Sequence, residues 1–240
     1  MLPHNTYLSL LNDVFILFFV FLTLFTFKGF IQALLAKLMG DDTGRESGFL
    51  SLNPLAHIDI FGLVTVLAVY FMIAGLFSES IPRGMLFIIL VAFGAHMIKP
   101  VPVEDGNFKH HTLGGVLTAL AGPIANFMLA MLAILGLKLL ISIHPAQSIF
   151  LSIFGVLHSI INISIIFGVI DLIPIPPFDG GKALRYILPG SMQSGLDWLE
   201  EYAFIILIVL FFAPVVSDGF FSLITSISQI IKQLMLGLLI

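Results

Sequence analysis

The chain has no cysteine, one tryptophan and little charge, with 10 Lys or Arg and 14 Asp or Glu among 240 residues. The missing cysteine excludes disulfides, thiolate metal sites and thiol nucleophiles, and it leaves the redox compartment open. Charged residues make up 10% of the chain, where a soluble domain carries about 25%. The net charge of −4 comes without a basic run, so nothing points to a nucleic acid partner. The N-terminus shows neither a basic n-region nor a small-residue cleavage site, so no removed signal peptide is expected. There is no internal repeat, low-complexity linker or soluble-domain stretch. The expectation is one membrane unit over residues 1–240, with the lipid bilayer as its first partner.

What the chain has in abundance is apolar surface: 59% of its residues are hydrophobic and the mean hydropathy is +1.12. A helix needs about 20 apolar residues to cross a bilayer. Residues 14–36 qualify, with Lys28 as their only charge. Residues 60–77 read as a second span. Residues 85–98 are short for a full crossing and fit a tilted, re-entrant or internally packed segment. The run Lys99-Pro-Val-Pro-Val103 disfavours helix, because each proline restricts its own backbone and the residue before it. Residues 113–143 form a long span interrupted by Gly122-Pro123, and residues 149–170 form one that ends at Asp171. Residues 202–216 are a sixth segment, and residues 220–240 an interfacial tail or short seventh helix. The expected fold is all-α: a polytopic membrane protein of about six transmembrane helices, with a short extended segment at 99–103. Lys37, Arg45, Lys99, Lys109, Lys182 and Arg185 fall in the odd-numbered loops, against Arg83, Lys138 and Lys232 on the other side. The positive-inside rule then places the odd loops in the cytoplasm.

Polar groups at membrane depth are the candidates for chemistry. Burying Lys28 mid-helix costs about 2.5–3.5 kcal/mol on the insertion scale. It either snorkels to an interface or turns inward to a partner. In Gly122-Pro-Ile-Ala-Asn126, Pro123 frees a carbonyl and Asn126, one turn on, can bond across to a neighbour. Such kinks are also common in structural bundles. Asn162, Asp171 and Asp179 lie on the fifth span and its exit. Pro174, Pro176 and Pro177 stiffen that exit, and Gly180-Gly181 lets another backbone approach. An acid on a stiff turn suits a metal ligand, a salt-bridge partner or a helix cap. The histidines are at 4, 57, 96, 110, 111, 144 and 158. None pairs at i, i+4, so no helix offers two imidazoles to one metal. His57 reads as structural, the pair His110-His111 as solvated, and His96 and His158 as packing residues.

Four segments in order carry a resemblance: Leu52-Asn-Pro-Leu-Ala-His-Ile-Asp59 with Gly62, Lys99-Pro-Val-Pro-Val103 with Asn107-Phe108, Ala119-Leu-Ala-Gly-Pro-Ile-Ala-Asn126, and Leu172-Ile-Pro-Ile-Pro-Pro-Phe-Asp-Gly-Gly181. Together they resemble the site-2 protease family of intramembrane zinc metalloproteases over residues 27–188, leaving 202–240 as C-terminal helices. Active members of that family carry His-Glu-x-x-His on their first matching helix. Two imidazoles one turn apart hold zinc and the glutamate activates water. Counting back from Gly40, this stretch reads Lys28-Gly-Phe-Ile-Gln-Ala33. Lys28 and Gln32 stand at the ligand positions and Gly29 at that of the base. Asp179 matches the retained metal ligand, Asn126 the residue that meets the substrate carbonyl, and Asp171 a position usually filled by asparagine.

The resemblance therefore implies a membrane homologue without intact catalytic residues and without an expected cofactor, where active relatives use zinc. Its remaining use is to accept transmembrane segments of other membrane proteins. An active peptidase with an atypical site, using Asp179 and a histidine such as His96, is a second reading. An ion or proton path through Lys28, Asp171 and Asp179 is a third. The substitution also predicts that the Lys28 ammonium stands where the metal would be, within salt-bridge distance of Asp179.

Overall fold

The structure is a computed structural model that describes residues 4–59, 61–62, 64 and 99–238. The spans expected at 60–77 and 85–98, with His96, lie outside the described residues apart from 61–62 and 64. Among the described residues there are helices and no strand. Numbered within that set, the helices are α1 (His4–Met39), α2 (Thr43–Glu46), α3 (Pro54–His57), α4 (His111–Ala119), α5 (Ala121–Ile143), α6 (Gln147–Asp171), α7 (Asp179–Ile187), α8 (Gly190–Glu201), α9 (Ala203–Phe212) and α10 (Pro214–Gly237). Among the described residues, four stretches are long and apolar enough to cross a membrane: Phe15–Met39, Ala121–Ile143, Gln147–Asp171 and Val215–Gly237.

Local chemistry explains most of the boundaries. The interruption expected at Gly122-Pro123 falls at Leu120, between α4 and α5. Pro123 then sits in the first turn of α5, where its missing N–H has no helical partner to lose. α5 ends at His144, whose backbone is left-handed (φ 50°), and α6 starts at Gln147. So short a turn makes the two helices antiparallel neighbours, and among the described helices theirs is the most extensive contact.

The C-terminal end corrects the sequence-based expectation. Residues 202–216 are not a span of their own: α9 has 10 residues, about 15 Å at 1.5 Å per residue, and Pro214 opens a separate helix. The tail instead forms α10, which has 24 residues and runs antiparallel along α6. Ile224 packs with Val169 and Ile170, Lys232 reaches Asn162, and Met235 joins the cluster holding Ile160 and Ile161.

The core lies between α1, α5, α6 and α10, around Val20, Leu24, Ala130, Ile134, Ile161 and Ile165. Ala121 and Ala125 pack against Ile31 where α5 meets α1. Lipid is as apolar as leucine, so such helices associate through close packing over small residues rather than through expulsion of water.

At one end of the bundle the loops are tied together. Lys109 N–H donates to the Met39 carbonyl at 2.9 Å. The buried Asp41 carboxylate accepts from Thr43 N (3.1 Å), Glu104 N (3.0 Å) and Asn107 Nδ2 (2.9 Å). Tyr186 donates to Asp105 at 2.8 Å. The 99–103 run is non-helical, as the prolines demand, but it is not paired as a strand.

Candidate functional site

Three chain segments converge on Lys28. It lies eleven residues before the end of α1, about 16 Å along the axis, too far for its stem to reach that end. Asp171 is the last residue of α6 and Asp179 the first of α7. Between them, prolines 174, 176 and 177 hold the chain out of helix. Gly180 and Gly181 let α7 begin directly against this turn: a Cβ on Gly180 would lie 2.6 Å from the Ile173 carbonyl oxygen and one on Gly181 2.8 Å from that of Ile175. The chain thus doubles back, and both acids face the same ammonium.

Lys28 Nζ is 2.9 Å from Asp171 Oδ2 and 2.8 Å from Asp179 Oδ2. The expected pairing with Asp179 is present, and Asp171 adds a second. Lys182 Nζ closes on the other Asp179 oxygen at 2.9 Å, and Asn126 Nδ2 donates to Asp171 Oδ2 at 3.0 Å. The order is Lys182, Asp179, Lys28, Asp171, Asn126. Two ammonium groups and two carboxylates sum to zero, the condition under which charges are tolerated away from water. Asp171 replaces the asparagine implied by the resemblance, and its extra charge balances a cation that an amide would leave in excess. Gly122 makes the contact possible: an added Cβ would run into Asp179 Oδ2 and lie 2.7 Å from Lys28 Nζ.

The remaining predicted residues divide. Gly29 is buried, and a Cβ there would collide with His57 Nδ1. The imidazole fills the volume that a side chain at 29 would need. His57 is 1% exposed, its Nε2–H donating to the Ser51 carbonyl at 2.7 Å, and its Nδ1 faces α1 without a hydrogen-bond partner. Gln32 is half-buried and is not among the groups contacting the ions. Asn162, grouped with Asp171 and Asp179 on the fifth span and its exit, lies apart from the acids: its Nδ2 donates to the His158 carbonyl (2.8 Å) and its Oδ1 accepts from Lys232 (2.8 Å). Nor does Asp179 cap α7. Phe178 is the N-cap and makes no side-chain capping bond, because both Asp179 oxygens are held by lysines. Sequence reasoning missed Lys182, although its i, i+3 spacing from Asp179 was a usable signal.

Zinc needs lone pairs from imidazole, thiolate or carboxylate. Lys28 presents N–H donors and no lone pair to the two acids, and its ammonium occupies the space between them. The residues here do not fit a zinc site. Among the described residues no group of three or more His, Asp or Glu is placed to hold a metal ion.

Two groups at the polar end are shifted. Burial alone would raise the Asp41 carboxyl, but hydrogen bonds from Asn107, Thr43 and Glu104 outweigh it and hold the group below its ordinary value. Burial, with the carboxylate of Asp105, pushes the Tyr186 hydroxyl up to about 12.

No protein-family model matches the chain, and no solved structure matches it. The chain is 31% identical over 195 residues to the "Putative zinc metalloprotease YwhC" of Bacillus subtilis (strain 168), covering 79% of this chain and 77% of that protein. It is 29% identical over 199 residues to the "Putative zinc metalloprotease Rip2" of Mycobacterium tuberculosis (strain ATCC 25618 / H37Rv), covering 81% of this chain and 66% of that one. Rip2 of Mycolicibacterium smegmatis is 34% identical over 108 residues, 45% of this chain and 40% of its own length.

Proposed function

The chain belongs to the site-2-protease-like family of zinc metalloproteases, and from that premise we propose that it is a member without peptidase chemistry, whose cleft binds transmembrane segments and does not cut them. The observation that carries this reading is the Lys28 ammonium at 2.9 and 2.8 Å from Asp171 and Asp179. An ammonium repels a dication and has no lone pair to offer it. Glycine at 29 supplies no base, and losing a general base typically removes about 10²–10⁴ in rate. Segment binding does not need that chemistry, and the α4–α5 break and the proline-stiffened turn before α7 both lie beside the ion cluster.

The test combines metal content with cleavage. The full chain, purified without chelator, is expected to carry far less than one zinc per molecule. It is expected to leave a single-span reporter segment intact while retaining it on an affinity column. Stoichiometric zinc that disappears on Asp179→Asn, together with reporter cleavage lost in the same variant, would overturn the reading.

A further inference from the structure

We propose that the groove between α6 and α10 binds a carboxylate carried inside the bilayer by a partner's transmembrane helix. This rests on the reading that the chain binds membrane segments, but it places a contact on a face of α6 away from the Lys28 site.

The groove, about 200 Å³, is lined by Asn162, Ile165 and Ile166 of α6 and by Thr225, Ser228, Gln229 and Lys232 of α10. The four α10 residues stand at i, i+3, i+4 and i+7, which is one face of a helix. A polar stripe on a membrane-spanning helix faces protein or a cavity, because lipid offers it no partner. Lys232 is the charge of this stripe, at its C-terminal end. Its Nζ donates to Asn162 Oδ1 at 2.8 Å, and the Asn162 amide is oriented for this by its own bond to the His158 carbonyl. That partner is neutral. Among the described residues no carboxylate lies within ion-pair distance of Lys232. Ser228 adds a second, independent signal. It is 7% exposed, it lines the groove, and its hydroxyl has no hydrogen-bond partner.

Depth selects the occupant. Asn162 lies nine residues before the end of α6 and fifteen after its start, about 14 and 22 Å along the axis. Measured along α6, that position falls inside the hydrocarbon region of a bilayer about 30 Å thick, while along α10 Lys232 lies five residues before the helix end and reaches inward to Asn162. Lipid phosphates sit outside that region, whereas an Asp or Glu of a spanning helix reaches it. Such an acid can accept from both Lys232 and Ser228, which supplies the missing anion and the missing acceptor at once.

The experiment uses the full chain in phosphatidylcholine vesicles with two synthetic single-span Leu/Ala helices, one with a central Glu and one with Gln in its place. Binding is read by energy transfer. The Glu helix is expected to bind about tenfold tighter than the Gln helix. The preference should vanish in Lys232→Met, survive in Lys232→Arg and weaken in Ser228→Ala, which leaves the charge in place should Lys232→Met fold poorly. Equal affinity for both helices in the unaltered chain overturns the inference. A Glu preference that persists in Lys232→Met and Ser228→Ala also overturns it, while leaving the segment-binding reading intact. If neither helix binds, both fall.

Discussion

Lys28 is held by two carboxylates that are themselves shielded from water, so the three residues stand or fall as a unit. Removing the cation strands Asp171 and leaves Asp179 with Lys182 alone. Lys28→Met is expected to cost about 3–5 kcal/mol. Adding Asp171→Asn and Asp179→Asn should recover most of that loss, because the remaining Lys182 is 56% exposed and water can solvate it. Thermal unfolding in detergent checks this: a triple variant no more stable than the single one means the ion cluster is not what Lys28 contributes. Gly122→Ala probes the same site from the other side. Its methyl group would intrude on Asp179 and Lys28 and is expected to cost about 1–3 kcal/mol through overpacking. A variant as stable as the parent, with its ion pairs unchanged, would contradict the close approach.

At the scale of elements, Asp41 clamps the end of α1 to the 104–107 loop. Its carboxyl is held low by hydrogen bonds that only the ionised form receives fully. The sign follows from that. A folded-state value below the unfolded one means the stabilisation is complete above the unfolded value of about 4. It is lost as pH falls through the lower folded-state value. Exchange of the Glu104 and Thr43 amide protons, referenced to unstructured peptide, should show protection falling on acidification. Asp41→Asn should lower it at neutral pH as well, by about 1–3 kcal/mol of local opening free energy. Protection independent of both changes would mean the clamp does not hold the loop. The α9–α10 break teaches a related lesson. Pro214 was visible in the sequence, yet apolarity was continuous across it, and a hydropathy window joined what the proline divides.

On the scale of the whole molecule, the first, third and fifth loops of the sequence reading meet at one end. Lys109 bonds to Met39, Asp41 to Glu104 and Asn107, and Tyr186 to Asp105. The turn between α5 and α6 lies at the opposite end of those helices. From the basic residues of the odd loops, the positive-inside rule predicts that their shared end faces the cytoplasm. The chain lacks cysteine, so the test needs no background correction. In intact cells a membrane-impermeant maleimide is expected to label Gln147→Cys, and to label Ser47→Cys only after permeabilisation. The reverse pattern would invert the molecule, and labelling of both from outside would refute the crossing of α1, α5 and α6.

Much of this protein is local, and the sequence by itself determined that part. Apolar runs made spans of residues 15–39, 121–143 and 147–171, proline and glycine placed the breaks near 120 and 172–178, and a lone lysine at depth demanded an anion. Only the tertiary structure decided which anions answer it. The contact between Lys28 and Asp171 joins residues 143 apart in the chain, and no rule of spacing selects Asp171 for that pair while sending Asn162 to Lys232. Helix periodicity reaches one or two turns. Beyond that, partners are chosen by which helix faces pack closely enough, and a charge in a medium without water goes to the nearest group that can neutralise it.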